Sequence, residues 1–172
     1  MVRPPSPVTP ITLPRQHTTP TTTTRSLALI DVDNIVLTAQ ENNLSILDPD
    51  IATRRMDYLA TAIPATDSSY AVISDAVSKK INASAGPLFF RYPQWTWRIT
   101  SDTTPDAADL ELLHHARTIS ANGGINTCYL ASGDSIFSEL SGISNQLLVV
   151  VPDDHDGIAK TLQPFHRRTV TP

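Results

Sequence analysis

Four apolar residues in a row, Leu27-Ala28-Leu29-Ile30, run without a break into Asp31-Val32-Asp33-Asn34. An unbroken apolar run of this length reads as a strand buried on both faces, and such strands belong to parallel sheets covered by helices. In open α/β sheets ligands bind at the carboxyl ends of the strands. Two carboxylates and an amide therefore stand where chemistry is usually done. About a hundred residues later the pattern recurs: Cys128-Tyr129-Leu130-Ala131 leads into Ser132-Gly133-Asp134-Ser135. Two apolar strands that both end in acids point to a site for a hard cation.

The rest of the chain alternates in the same rhythm. Asp48-Pro49-Asp50 caps a helix through Ala52 to Ala62, Tyr70 to Ile73 is a strand, and Ser74-Asp75 opens a further helix. Residues 86–94, with Gly86, Pro87 and Pro93, read as loop, and Trp95 to Thr100 alternates like a strand. Thr104-Pro105 suits a helix start, with Thr as N-cap and Pro at the first position. That helix runs to about Ser120 and stops at Asn122-Gly123-Gly124. Ile125 to Ala131 is a strand, a helix follows from near Gly133, Leu147 to Val151 is a last buried strand, and Ile158 to Phe165 a last helix. This βαβα order predicts an α/β domain with a mainly parallel sheet and helices on both faces.

Composition sets the boundaries. Residues 1–25 hold six Pro, eight Thr, three Arg and no acid. A segment so poor in large apolar groups cannot offset its ordering entropy, so it reads as a disordered tail. Residues 26–166 form the folded domain and 167–172 a short C-terminal tail. Without the first 25 residues the net charge is −7, against −4 for the whole chain. An acidic domain is a poor general polyanion binder, because Lys and Arg dominate phosphate affinity. Nucleic acid would need a local basic path or a bridging metal. The pairs Arg54-Arg55, Lys79-Lys80 and Arg167-Arg168 are candidates, although ordinary solvated charge explains each of them. No apolar run is long enough to span a bilayer or to serve as a secretory signal core. The single Cys128 reads as a small buried hydrophobe. A reducing cytoplasm fits these features.

The acids deserve weighing one by one. Asp31 is either a ligand or a turn and N-cap acid. Asp33 and Asn34 have the stronger turn reading, since Asx residues fill strand-to-helix turns. On the helix from Pro105, Leu112, Leu113 and Ala116 follow Asp109 at i+3, i+4 and i+7, so Asp109 lies on the apolar stripe. A charge facing inward is costly unless a cation or hydrogen bonds compensate. Asp134 could cap the next helix. Together, Asp31, Asp109 and Asp134 occupy one edge of a parallel sheet. Three carboxylates there suit Mg²⁺ or Mn²⁺, and such an ion can activate water and clamp a phosphodiester. The His and Cys residues show no zinc spacing, and no P-loop, GxGxxG or GxSxG occurs. His114 and His115 point apart on a helix. Phe89, Phe90, Tyr92, Trp95 and Trp97 form an aromatic cluster better explained by core packing than by base stacking.

These residues together resemble the NYN domain, a branch of the PIN-like nucleases. Ala28-Leu29-Ile30-Asp31-Val32-Asp33-Asn34 is similar to that family's first motif, a hydrophobic strand ending in an acidic, Asn-containing turn. Ala108-Asp109-Leu110-Glu111-Leu112 resembles its middle Ala-Asp motif. Ala131-Ser132-Gly133-Asp134-Ser135-Ile136-Phe137 resembles the third, Ser-Gly-Asp-Ser-Asp-Phe, with Ile136 in place of the second Asp. A Lys that often precedes the middle motif is absent from residues 102–108. The resemblance, over about residues 26–166, implies a PIN-like fold and Mg²⁺- or Mn²⁺-dependent cleavage of RNA. It makes Asp31, Asp109 and Asp134 the catalytic and metal-binding acids, with Asn34, Ser132 and Asp33 in substrate or supporting roles. Two other readings stay open. One is a catalytically weak PIN-like module that binds RNA or a protein partner, or forms a homo-oligomer, motivated by Ile136 and the acidic surface. The other is a haloacid dehalogenase-like phosphatase. Asp31-Val32-Asp33 resembles that family's paired acids, while Asp109 is left unexplained and no Lys is convincingly placed.

Overall fold

The computed structural model describes residues 25–39, 45–84, 86–101, 104, 106–155 and 157–166. The proposed tails therefore lie outside the described residues, except that Arg25 already belongs to the first strand. In chain order the elements are β1 (Arg25–Asp31), α1 (Val32–Val36), β2 (Leu37–Ala39), β3 (Ser45–Leu47), α2 (Pro49–Ala62), β4 (Ser68–Ser74) and α3 (Asp75–Ser84). They continue with α4 (Leu88–Arg91), β5 (Thr96–Thr100), α5 (Ala107–Ala121), β6 (Ile125–Ala131), α6 (Leu140–Ile143) and β7 (Ser144–Val149).

Five strands form one all-parallel sheet in the order β5-β4-β1-β6-β7, while β2 and β3 make a separate antiparallel ribbon. β1 takes the central place because Leu27, Ala28, Leu29 and Ile30 are apolar on both faces, and all four are fully buried. The edge strands show the opposite pattern. Four of the five β5 residues are polar or exposed, and β7 opens with exposed Asn145 and Gln146. From β1 the chain moves to its neighbour β4 and on to β5, then returns to β6 on the other side of β1 and ends at β7. With right-handed crossovers, this reversal puts α1 to α3 on one face and α5 and α6 on the other. It also makes β1 and β6 the adjacent pair whose chains leave in opposite directions. A crevice opens outside the carboxyl ends of such a pair.

Local chemistry explains most element ends. Asp48 caps α2 as expected, its carboxylate accepting from the N–H groups of Asp50 (2.9 Å) and Ile51 (3.1 Å), with Pro49 in the first turn. The α5 stripe of Leu112, Leu113 and Ala116 is buried with Asp109, as the spacing requires. Cys128 is buried, and burial pushes its thiol up to about 12. No described helix is long and apolar enough to cross a membrane.

Several boundaries differ from the sequence reading. α5 starts at Ala107, with Asp106 as N-cap in the left-handed region at φ 65°, a conformation Asp tolerates better than most residues. The expected start at Thr104-Pro105 is therefore early by two residues, and Pro105 lies outside the described residues. The helix expected from Gly133 is a 3₁₀ turn, Ser135–Glu139, running into the short α6. The last strand begins at Ser144, because its polar half is exposed at the sheet edge and gives no apolar signal. Its apolar continuation, Val150 and Val151, is buried beyond the strand. The C-terminal helix reduces to the 3₁₀ turn Gln163–Phe165, in which Pro164 supplies no N–H. Residues 86–94 include the single turn α4 rather than loop alone. Neither α1 nor the β2–β3 ribbon was legible.

Candidate functional site

Asp31 is at once the last residue of β1 and the N-cap of α1, so its position is fixed from both sides. One carboxylate oxygen accepts from the Asn34 N–H (3.2 Å) and the other from the Ser132 hydroxyl (3.0 Å). The side chain is only 3% exposed. Burial, and then the neighbouring Asp109 charge, hold its pKa well above the ordinary carboxylate value.

Asp109 arrives from the first turn of α5, 8% exposed. Its pKa is pushed up to about 6, chiefly by burial, with Asp134, Asp106 and Asp33 adding like charge and a hydrogen bond with Asp31 opposing. Burial and like charge together disfavour the fully ionised form of this pair.

Asp134 follows β6 and caps the 3₁₀ turn, accepting from the Ile136 N–H at 3.1 Å. Its own N–H donates to Ser132 Oγ (3.2 Å), so the buried Ser132 hydroxyl links the Asp31 carboxylate to the Asp134 backbone. Asp33 accepts from the Ser74 N–H at 3.0 Å, tying β4 to the turn after β1, and burial raises its pKa. Asn34 Oδ1 accepts from the Gly133 N–H at 2.9 Å. The same oxygen and the Asn34 carbonyl lie 3.0 and 3.1 Å from His155 Nε2. Both are acceptors, so Nε2 carries the hydrogen, and Nδ1 accepts from the Gly157 N–H at 3.3 Å.

These groups surround an open cleft of about 1010 Å³ whose lining includes Asp31, Asp33, Asn34, Asp106, Asp109 and Asp134. Neither Lys nor Arg contributes to its lining among the described residues. Five of the six site residues read from the sequence thus meet in one cleft or directly on its wall, and Ser132 sits buried beneath, bonded to Asp31. The N-cap readings of Asp31 and Asp134 hold too, since each carboxylate also caps a turn.

Three residues escaped the sequence reading. His155 follows the last buried strand, and the same carboxyl-edge logic applied to Pro152-Asp153-Asp154-His155 would have found it. Asp106 stands at the start of α5, where an acid is explained by the helix N-terminus alone. Arg55 contradicts the solvated-pair reading. It is 2% exposed and donates to the carbonyls of Ile35 (2.9 Å) and Leu37 (3.4 Å), to Asp154 Oδ1 (3.2 Å) and to the Asp154 carbonyl. Its helix buries Ala52, Met56 and Leu59 on the same face, which draws the aliphatic stem inward. The aromatic cluster divides: Tyr92 and Trp95 are buried, but Phe89 and Phe90 are exposed.

Hard oxygen donors, desolvated and short of positive charge, fit a divalent cation chemically. Among the described residues, no three His, Cys, Asp or Glu side chains are already grouped to hold one. Ile136 is half-buried against the core rather than lining the cleft. Compared with known proteins, the chain matches no family model, no curated protein and no solved structure.

Proposed function

We propose that this cleft takes Mg²⁺ or Mn²⁺ and that the chain is a PIN-like, metal-dependent ribonuclease of the cytoplasm. The observation that carries the reading is the Asp31–Asp109 pair. Two buried carboxyls with raised pKa values face each other at the switch point of a parallel sheet, in a cleft with no Lys or Arg on its wall among the described residues. Such a pair must hold a proton or a cation. Asp31 and Asp109 would hold the ion, with Asp134 beside them. When bound, the ion supplies Lewis acidity for water and a countercharge for a phosphodiester. The protein's part is positional. Ser132 and the Asn34 N–H fix the Asp31 carboxylate, while Asn34 and His155 fix the turn that carries Asp134.

A second reading, a binding module with weak or no catalysis, draws support from Ile136, which leaves that turn with one acid. The phosphatase reading is weaker. It needs Asp31 as a free nucleophile, whereas Asp31 is bonded on both oxygens and pressed against Asp109.

The test is cleavage of a fluorogenic single-stranded RNA with Mn²⁺. Wild type should cleave, EDTA should abolish it, and Asp31→Asn should lower the rate roughly a hundredfold or more, the scale on which one preorganised electrostatic group acts. Inert wild type across metals and RNAs would leave the binding-module reading. Hydrolysis of p-nitrophenyl phosphate without RNA cleavage would favour the phosphatase.

A further inference from the structure

The acidic cleft is not isolated. On the edge strand β5, Trp97 and Ile99 help to line an apolar hollow of about 280 Å³ with Ile73, Ile81, Phe89 and Asn82. The Trp97 ring is fixed there, its Nε1–H donating to the Tyr92 carbonyl at 3.0 Å. A second hollow, about 300 Å³, carries Arg98, Thr100, Thr104 and Glu111. It shares Ile99 with the first hollow, and Thr100, Thr104 and Ala107 with the acidic cleft. The three form one path around the end of β5.

Two further observations mark this path. Among the described residues, five large apolar side chains are exposed; Phe89, Ile99 and Leu110 line these hollows, and Phe90, 77% exposed, packs on Phe89. Large apolar surface left open marks a binding face. The charge also reverses locally. Residues 75–101 hold Lys79, Lys80, Arg91 and Arg98 against Asp75 alone, net +3 in a domain whose residues 26–172 sum to −7. Lys79 and Arg91 make exposed ion pairs with Asp75 and Asp57, which are weak and exchangeable. Arg98 reaches Glu111 only at 3.9 Å. Thr100, at the junction, has a buried hydroxyl without a partner among the described residues.

We propose that single-stranded RNA lies across the end of β5, with one base in the Phe89–Trp97 hollow and its backbone passing Arg98 and Thr100 into the acidic cleft. This rests on the reading that the cleft acts on RNA. Apolar surface alone would suit a protein partner equally. The local positive charge and the continuity with the cleft select a polyanion with stackable rings. Single-strand binders combine those same two elements, a cationic track and aromatic platforms. A duplex does not fit, because its bases are stacked and cannot enter a side pocket.

The experiment is fluorescence anisotropy of a fluorescein-labelled, ten-nucleotide single-stranded RNA with the full chain in EDTA at low salt. EDTA separates binding from cleavage. Wild type should bind the single strand more tightly than the matching duplex. Phe89→Ala should weaken binding about tenfold with no change in melting temperature, the effect of losing one stacking platform. Arg98→Ala should lower the salt slope by about 0.7, the value for one phosphate contact on a single strand. Absence of RNA binding, or equal binding by all three proteins, would overturn the proposal. So would self-association or capture of a protein partner that Phe89→Ala abolishes while RNA affinity stays unchanged. Phe89-dependent binding without cleavage under any metal would keep this site and sink the nuclease. Asp31-dependent cleavage indifferent to Phe89 and Arg98 would do the reverse.

Discussion

The site's chemistry turns on residues that are poorly solvated and alike in charge. Asp109 has a folded-state pKa of about 6 against an ordinary 3.8. Between those values the folded protein binds more protons than the unfolded chain, so stability falls as pH rises through that window. Two pKa units correspond to roughly 3 kcal/mol at most. Asp109→Asn should lessen this fall, leaving the metal-free melting temperature higher than wild type above pH 6 and similar near pH 4, while buried Asp31 keeps its own share. Thermal melts across pH 4 to 7 in EDTA check it, and parallel profiles for the two proteins would contradict the assignment. Gly133 is constrained in a different way. A Cβ placed on it would lie 2.2 Å from the Gly157 carbonyl oxygen and 2.9 Å from His155 Cε1. Backbone cannot yield cheaply there, so Gly133→Ala should destabilise by about 1–3 kcal/mol, the cost of overpacking. Because the clash is with the segment that carries His155, denaturant unfolding should be accompanied by a shifted His155 ring resonance.

Among the elements, one contact joins what the sheet does not. Arg55 on α2 reaches the carbonyls of Ile35 in α1 and Leu37 just after it, and both the side chain and carbonyl of Asp154. It thereby ties α2 to the loop that presents His155. Breaking a buried charge pair from one side costs about 3–5 kcal/mol, and Asp154 is itself partly exposed. Arg55→Ala should therefore cost about 3 kcal/mol in urea melts. Arg55→Lys should recover little, because one ammonium group cannot fork among these acceptors. Full recovery by Lys would show that charge alone matters. The same elements show what the sequence could and could not disclose. β1 was legible since its apolar run needs burial on both faces, and α5 since Asp109 falls on an apolar stripe. α1 was hidden because five residues carry no helical period. The start of β7 was hidden because an edge strand needs no apolar signal. Arg55 was misread because charge pattern alone does not reveal which face of a helix the stem follows.

At the scale of the whole molecule, topology brings the acids together. Residues 31, 109 and 134 are far apart in sequence, and only the reversal of strand order at β1 and β6 sets them on one cleft wall. That convergence was legible from three strand and helix ends, and the same logic extends to His155 after the last strand, whereas the path around β5 depends on packing that no local pattern encodes. The central claim is that the carboxyl pair exchanges a proton for a divalent ion. Metal ligands must be deprotonated, so binding releases protons. Isothermal titration of Mn²⁺ into the metal-free protein near pH 6, in two buffers of different ionisation heat, measures both events at once. Wild type should bind one Mn²⁺ with net proton release that diminishes toward pH 8, and Asp31→Asn should lose most of the binding. No binding at millimolar Mn²⁺, or equal binding by the variant, would contradict the account.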